Sequence, residues 1–172
     1  IITIVRDVDI HKAVKDWLDN GGITSDAYST FGPISQWNTT QVTDMSGLFQ
    51  DATGFNEDIT AWDVSGVTDM NNMFNGANVF DQNISVWTVS SVTDMKFMFN
   101  NASSFNKDIS VWNVSSVTNM NNMFNGASAF NKPLNVWDVT EVTDMNGMFK
   151  SAGSFNQDIS GWDVSGVTNM ID

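Results

Sequence analysis

The sequence predicts a repeat solenoid in which each 25-residue coil carries one short parallel strand and tight turns. Tryptophan recurs at an unbroken interval of 25 residues, and several other apolar residue types recur in the same register. Residues 1–36 do not follow this period. We therefore divide the chain into an N-terminal cap, residues 1–36, and six repeats, residues 37–172, of which the last is incomplete. The repeats start at Trp37, Trp62, Trp87, Trp112, Trp137 and Trp162.

The cap is expected to contain a short strand over ITIV, followed by one helix. Asp9 is the expected N-cap of this helix, which runs to about Asn20 and stops before Gly21. Gly32 and Pro33 mark the turn into the first repeat. One face of the helix is apolar and is expected to cover the first coil, through Ile10, Val14, Trp17 and Leu18.

Within a repeat, the apolar residues follow one another at intervals of three. In the second repeat they are Val64, Val67, Met70 and Met73. This spacing fits neither strand alternation nor a helical stripe. It indicates a tight coil whose inward side chains pack against the identical positions of the coils above and below, so that each apolar column forms an internal ladder.

The last repeat stops eleven residues after it begins, at VTNMID, and carries no polar terminal cap. An open end exposes hydrogen-bonding groups and apolar side chains. We therefore expect either a piece of a longer array or a protomer that stacks through this end.

Composition excludes several classes of protein. The chain has 20 acidic and 7 basic residues and a net charge of −13, which disfavours nucleic acid and anionic membranes as partners. It has no cysteine, so disulfides and thiolate metal sites are excluded. No apolar run is long enough to span a membrane. The start, IITIVRD, lacks signal-peptide features, but it also lacks an initiator methionine, as a mature or trimmed form would.

The repeat units, such as FNEDITAWDVSGVTDMNNMF and FNQDISGWDVSGVTNM, closely resemble the bacterial-surface-protein repeat of the BspA-like leucine-rich-repeat family. The resemblance covers residues 34–172 and is closest to the Mycoplasma and Listeria lipoprotein type. The preceding segment, with AVKDWL, resembles the lead-in of members from marine microbial eukaryotes. This resemblance implies a leucine-rich-repeat-like superhelix and a place on lipoproteins, adhesins and cell-surface proteins.

Acidic and amide residues form a column that could serve either backbone capping or metal binding. We favour capping, in which each side chain accepts backbone N–H groups at a corner of the coil, as in Asx turns. The alternative is calcium, which takes 6 to 8 oxygen ligands and would neutralise stacked carboxylates. The calcium candidates are Asp44, Asp69, Asp94 and Asp144.

Two further columns have alternative interpretations. The tryptophan column could stack on sugar rings, but we favour a buried column whose indole N–H groups bond to corner carbonyls. A threonine column could order water as ice-binding proteins do, but hydroxyl pairing between neighbouring coils accounts for it more simply. Its members are Thr43, Thr68, Thr93, Thr118, Thr143 and Thr168.

Four N-glycosylation sequons begin at Asn38, Asn83, Asn101 and Asn113. Asn38 and Asn113 share one column, so we expect that they cannot both be buried corner caps and glycan carriers. Catalysis finds little support, because the only histidine, His11, lies in the cap helix and the repeats hold no nucleophile and base pair. We expect that the protein is not an enzyme and needs no cofactor, with calcium as the one possibility.

These observations favour an extracellular or cell-surface protein that mediates adhesion or recognises protein or glycan partners through a repeated acidic surface. One alternative is a structural subunit that stacks end to end in a filament, coat or matrix. Another is a calcium-dependent adhesin. Concentration-dependent growth and a response to calcium distinguish the three hypotheses.

Overall fold

The structure is a computed structural model that describes residues 4–171, apart from the side chains of Ile4, Val5 and Val8. The cap contains strand β1 (Ile4–Arg6), helix α1 (Asp7–Asp19), a 3₁₀ turn (Gly22–Thr24), helix α2 (Asp26–Phe31) and a second 3₁₀ turn (Ile34–Gln36). Strand β2 (Asn38–Gln41) then pairs with β1 in parallel. Among the described residues, no helix combines the length and apolar character of a membrane-spanning segment.

The cap differs from the sequence prediction at the start of its helix. Helix α1 begins at Asp7, directly after β1, and Arg6 occupies the N-cap without a side-chain capping bond. The prediction that Asp9 is the N-cap is therefore wrong, and Asp9 lies in the first turn. Helix α2 was not predicted; Ser25 caps it by accepting the Tyr28 N–H. Of the predicted ITIV strand, Ile4 and Val5 lie in β1, whereas Ile2 and Thr3 lie outside the described residues.

Beyond β2, each unit hydrogen-bonds to the units 25 residues before and after it. Instead of the expected strand, each unit contributes one isolated parallel bridge, and these bridges connect Asp44, Asp69, Asp94, Asn119, Asp144 and Asn169 in order. The reason lies in the hydrogen bonds that follow each bridge. Alternate N–H groups donate to the next unit, as Phe74 does to the Met98 carbonyl at 2.9 Å, and to the carbonyl three residues back, as Ala77 does to Phe74 at 3.0 Å.

This alternation bends the chain at every second residue, so an extended strand cannot form. It also explains why the apolar residues occur at intervals of three, since each short turn returns one side chain to the interior. The core consists of these inward columns. Phe74, Phe99 and Phe124 are fully buried and stack with ring centroids 5.7 and 5.6 Å apart.

Candidate functional site

Asx turns form the exposed corners of the units. Asp63 Oδ1 accepts the Ser65 N–H at 2.9 Å, and Asp108 Oδ1 accepts the Ser110 N–H at 2.9 Å. Hydrogen bonds from the serine hydroxyl and backbone lower the pKa of each of these two aspartates. These carboxylates are therefore ionised near neutral pH, and the corners carry fixed negative charge.

The four calcium candidates lie half-buried in the bridge column. Each uses one carboxylate oxygen to accept the backbone N–H two residues on; Asp44 bonds to Ser46 at 2.8 Å and Asp94 to Lys96 at 2.9 Å. Burial raises the pKa of Asp94, and the neighbouring Asp69 carboxylate raises it further. The other two candidates are Asp69 and Asp144, which make the same bond to Asn71 and Asn146.

Within residues 4–171, no group of three or more acidic, histidine or cysteine side chains is placed to hold a metal ion. The column instead has the backbone-capping geometry that the sequence analysis favoured. Calcium binding stays a prediction.

The sequon asparagines lie at several kinds of position. Asn83 and Asn113 are exposed, and each accepts the N–H two residues on through Oδ1. Asn38 is half-buried and accepts from both the N–H and the hydroxyl of Thr40. Asn101 is exposed with φ +55° and donates to Asn100 Oδ1.

The expected conflict between capping and glycosylation therefore does not arise at Asn113. The cap uses Oδ1 at an exposed corner, and Nδ2, the atom that carries a glycan, is left for modification.

The tryptophan column is buried, as the favoured interpretation predicted. The Trp112 indole N–H donates to the Ile84 carbonyl at 3.1 Å, and Trp137 repeats this bond to Ile109 at 3.2 Å. Burial removes these rings from any sugar-stacking role. The threonine column is exposed, but its hydroxyls donate to carbonyls; Thr93 donates to the Thr68 carbonyl at 3.3 Å. The predicted hydroxyl pairing is thus replaced by hydroxyl-to-carbonyl bonds.

An amide ladder on another face was missed by the sequence analysis. Asn106 N–H donates to Asp81 Oδ1 at 2.9 Å, and Asn131 N–H donates to Asn106 Oδ1 at 3.0 Å. Lys107 also bridges to Asp81, at 2.7 Å. The signal was available, because asparagine or aspartate recurs every 25 residues at this place in five units. The ladder residues are Asn56, Asp81, Asn106, Asn131 and Asn156.

An exposed row of valines is the second feature that the sequence analysis missed. Val86, Val111 and Val136, which we call the valine row, occupy the same position in three consecutive units and are 64%, 74% and 68% exposed. Val111 borders a shallow depression of about 420 Å³ that Asp108 and Lys107 also line. The signal was valine directly before tryptophan in three consecutive repeats.

The position of the valine row makes it a candidate contact surface. Each valine lies between two Asx-turn corners, one two or three residues before it and one two residues after it. Several corner positions carry ionised aspartates, as at Asp108 before Val111 and Asp138 after Val136. The surface therefore offers apolar contacts bordered by negative charge, which suits a partner with basic and apolar groups.

Comparison with known proteins gives one match. A family model described as "Mycoplasma protein of unknown function, DUF285" matches residues 22–116 and residues 82–172. The two matches overlap and together reach from the end of the cap helix through the repeats. No curated protein and no solved structure matches the chain.

Proposed function

Because the chain belongs to the family described as Mycoplasma protein of unknown function, DUF285, we propose its function from its surface. The protein is a non-enzymatic, extracellular or cell-surface repeat protein that recognises its partners through the valine row and the acidic corners beside it. The observation that carries this proposal is the exposure of three valines at equivalent positions of consecutive units. Protein partners fit this surface better than glycans, because the row offers apolar contacts.

We further propose that the units form a leucine-rich-repeat-like solenoid of the BspA-like type. The parallel bridges and hydrogen bonds between residues 25 apart support this assignment. In such a stack, a partner that contacts one unit finds the same chemistry on the next. Binding is then multivalent, and weak contacts combine.

The energy available from the valine row is modest. Covering two thirds of a valine side chain contributes about 1 to 2 kcal/mol, so the three valines provide about 3 to 6 kcal/mol before the costs of association. Recognition therefore depends on the bordering carboxylates as well. Since exposed charges are screened by salt, we expect affinity to fall as ionic strength rises.

A binding screen with a designed variant tests the proposal. The wild-type chain and the triple variant Val86→Ser, Val111→Ser, Val136→Ser are applied to arrays of basic peptides, of extracellular proteins and of glycans. We expect peptide or protein ligands that bind the wild type at least tenfold more tightly than the variant. Equal binding by both chains, or no binding to any array, would refute the proposal.

End-to-end stacking is the second candidate function. The final described unit presents an apolar surface of about 450 Å³ that includes Met145, Met148 and Trp162, with Met170 largely exposed. Analytical ultracentrifugation over a wide concentration range tests this candidate. Growth that increases with concentration would favour a structural subunit, whereas a monomer at all concentrations would leave partner capture by the valine row.

The same experiment, with calcium and with a chelator, tests the calcium-dependent adhesin. If the bridge-column aspartates bind calcium, millimolar calcium raises the melting temperature and the chelator lowers it. An unchanged melting temperature would remove this alternative.

A further inference from the structure

The cap completes the hydrogen bonds of the first unit on one side only. There, the Asp7 carboxylate accepts the N–H groups of Thr43 at 2.6 Å and Asp44 at 3.1 Å, and also the Thr43 hydroxyl. His11 Nε2 lies 2.9 Å from the Ser46 carbonyl oxygen and donates to it. These contacts replace the bonds that a preceding unit would make.

On the side of the amide ladder, the cap leaves the first unit open. In the four later units, the ladder N–H donates to the Oδ1 atom of the residue 25 positions earlier, at 2.9 to 3.0 Å. The residue 25 positions before Asn56 is Phe31, at the end of α2, and its side chain has no acceptor. Across the part of the chain that the structure describes, the Asn56 N–H has no acceptor.

A cleft of about 820 Å³ lies beside this open position. It separates the C-terminal end of α1 and the turn after it from residues 50–57 of the first unit. Its apolar wall includes Leu18, Ile34 and Phe55, and its acidic residues are Asp19, Asp51 and Glu57. No lysine or arginine is among the described residues that line it. The volume is within the range of ligand-binding clefts.

We propose that this cleft binds a short peptide segment that carries a carboxamide side chain between an apolar and a basic residue. The carboxamide oxygen accepts the free Asn56 N–H, as the side chain of a preceding unit would. The apolar side chain contacts the wall at Ile34 and Phe55, and the basic side chain lies beside Glu57. This site is separate from the valine row and does not depend on the function proposed for that row.

The repeats themselves show the chemistry that fits. The segment that would precede Asn56 in an ideal stack corresponds to Ser104–Lys107, whose order is serine, phenylalanine, asparagine and lysine. Lys107 occupies the same column as Glu57. A basic residue in the bound peptide would therefore meet an acidic one, which gives the cleft charge complementarity for its ligand.

The probe is a fluorescein-labelled peptide with the sequence of residues 103–107, SSFNK, amidated at its C-terminus. Fluorescence anisotropy measures its binding to the full chain. A second peptide carries the change Asn106→Ala and removes the carboxamide alone. We expect it to bind at least tenfold more weakly.

Two protein variants locate the site. Gly54 lines the cleft, and a Cβ atom there meets nothing within 4 Å, so Gly54→Phe fills the cleft without a clash. It is expected to reduce affinity at least tenfold. Gly161→Phe is the matched control, because Gly161 has the same free space and lies outside the cleft. Glu57→Lys is expected to weaken binding at least threefold at low salt, and less at high salt.

Amide chemical shifts give an independent readout, since the Asn56 N–H resonance should move downfield when the peptide binds. The proposal is overturned if the chain does not bind SSFNK, if both peptides bind equally, or if Gly54→Phe binds as the wild type does. It is also overturned if Gly54→Phe abolishes self-association of the wild-type chain, because the occupant is then a second copy.

Discussion

Adding one methyl group at Gly126 tests the packing between neighbouring units where they approach most closely. Gly126 has φ +72°, and a Cβ atom built there would lie 2.3 Å from Asn101 Oδ1. An L-residue in the left-handed region costs about 1 to 2 kcal/mol. Moving the Asn101 carboxamide aside also breaks its 2.8 Å bond to Asn100, which is worth about 0.5 to 1.5 kcal/mol. We therefore expect Gly126→Ala to reduce the free energy of unfolding by about 1.5 to 3.5 kcal/mol.

Urea denaturation, followed by far-ultraviolet circular dichroism, measures this loss. Gly54→Ala is the matched control; its Cβ would meet nothing within 4 Å and its φ is not positive, so we expect a change of less than about 0.5 kcal/mol. The double variant Asn101→Gly, Gly126→Ala removes the clash and keeps the backbone cost. A coupling free energy of at least about 0.5 kcal/mol should follow. Equal losses for the two single alanine variants, or no coupling, would refute the reasoning.

Three further predictions concern single side chains and pH. Trp112→Phe leaves the buried Ile84 carbonyl without its indole donor and should cost about 1 to 3 kcal/mol; an unchanged urea midpoint would contradict this. Asp94→Asn should stabilise the protein at pH 7, because burial raises the pKa of Asp94 and asparagine keeps the capping oxygen, as Asn119 does. A lower melting temperature would count against it. Acidification should destabilise the protein, because hydrogen bonds lower the pKa of six corner aspartates from 3.8. Their stabilising contribution is complete above that value and is lost as pH falls through the lowered pKa values of the folded state. Urea midpoints that stay constant from pH 6 to pH 2 would disagree with this. The six are Asp58, Asp63, Asp108, Asp138, Asp158 and Asp163.

The repeat period carried most of what could be predicted about the core. Identical residues at intervals of 25 must meet identical neighbours, so the burial of Trp112 and the bond from its indole N–H followed from the sequence. The period contains no information on backbone direction between the columns. For that reason a strand was expected where the chain forms alternating turns and a single bridge at Asp94.

The cap was harder to predict because no second copy of it exists in the chain. Asp7 was missed as the residue that closes the stack, since its partners Thr43 and Asp44 lie 36 and 37 residues away. The cleft was missed for a related reason. Phe31 is a normal residue for the end of a short helix, and its effect appears only when the register of Asn56 is extended backwards by one unit.

The contacts between units are nearly the same at every step, and this has a consequence for how such a gene changes. The ring centroids of Phe80 and Phe105 lie 5.9 Å apart, those of Phe105 and Phe130 lie 6.0 Å apart, and those of Phe130 and Phe155 also lie 6.0 Å apart. A 25-residue segment can therefore be duplicated or deleted by recombination, from any point in one repeat to the same point in the next. The flanking units then meet as before. Descendants of one gene can thus differ in reach by whole repeats while they keep one cap and one cleft.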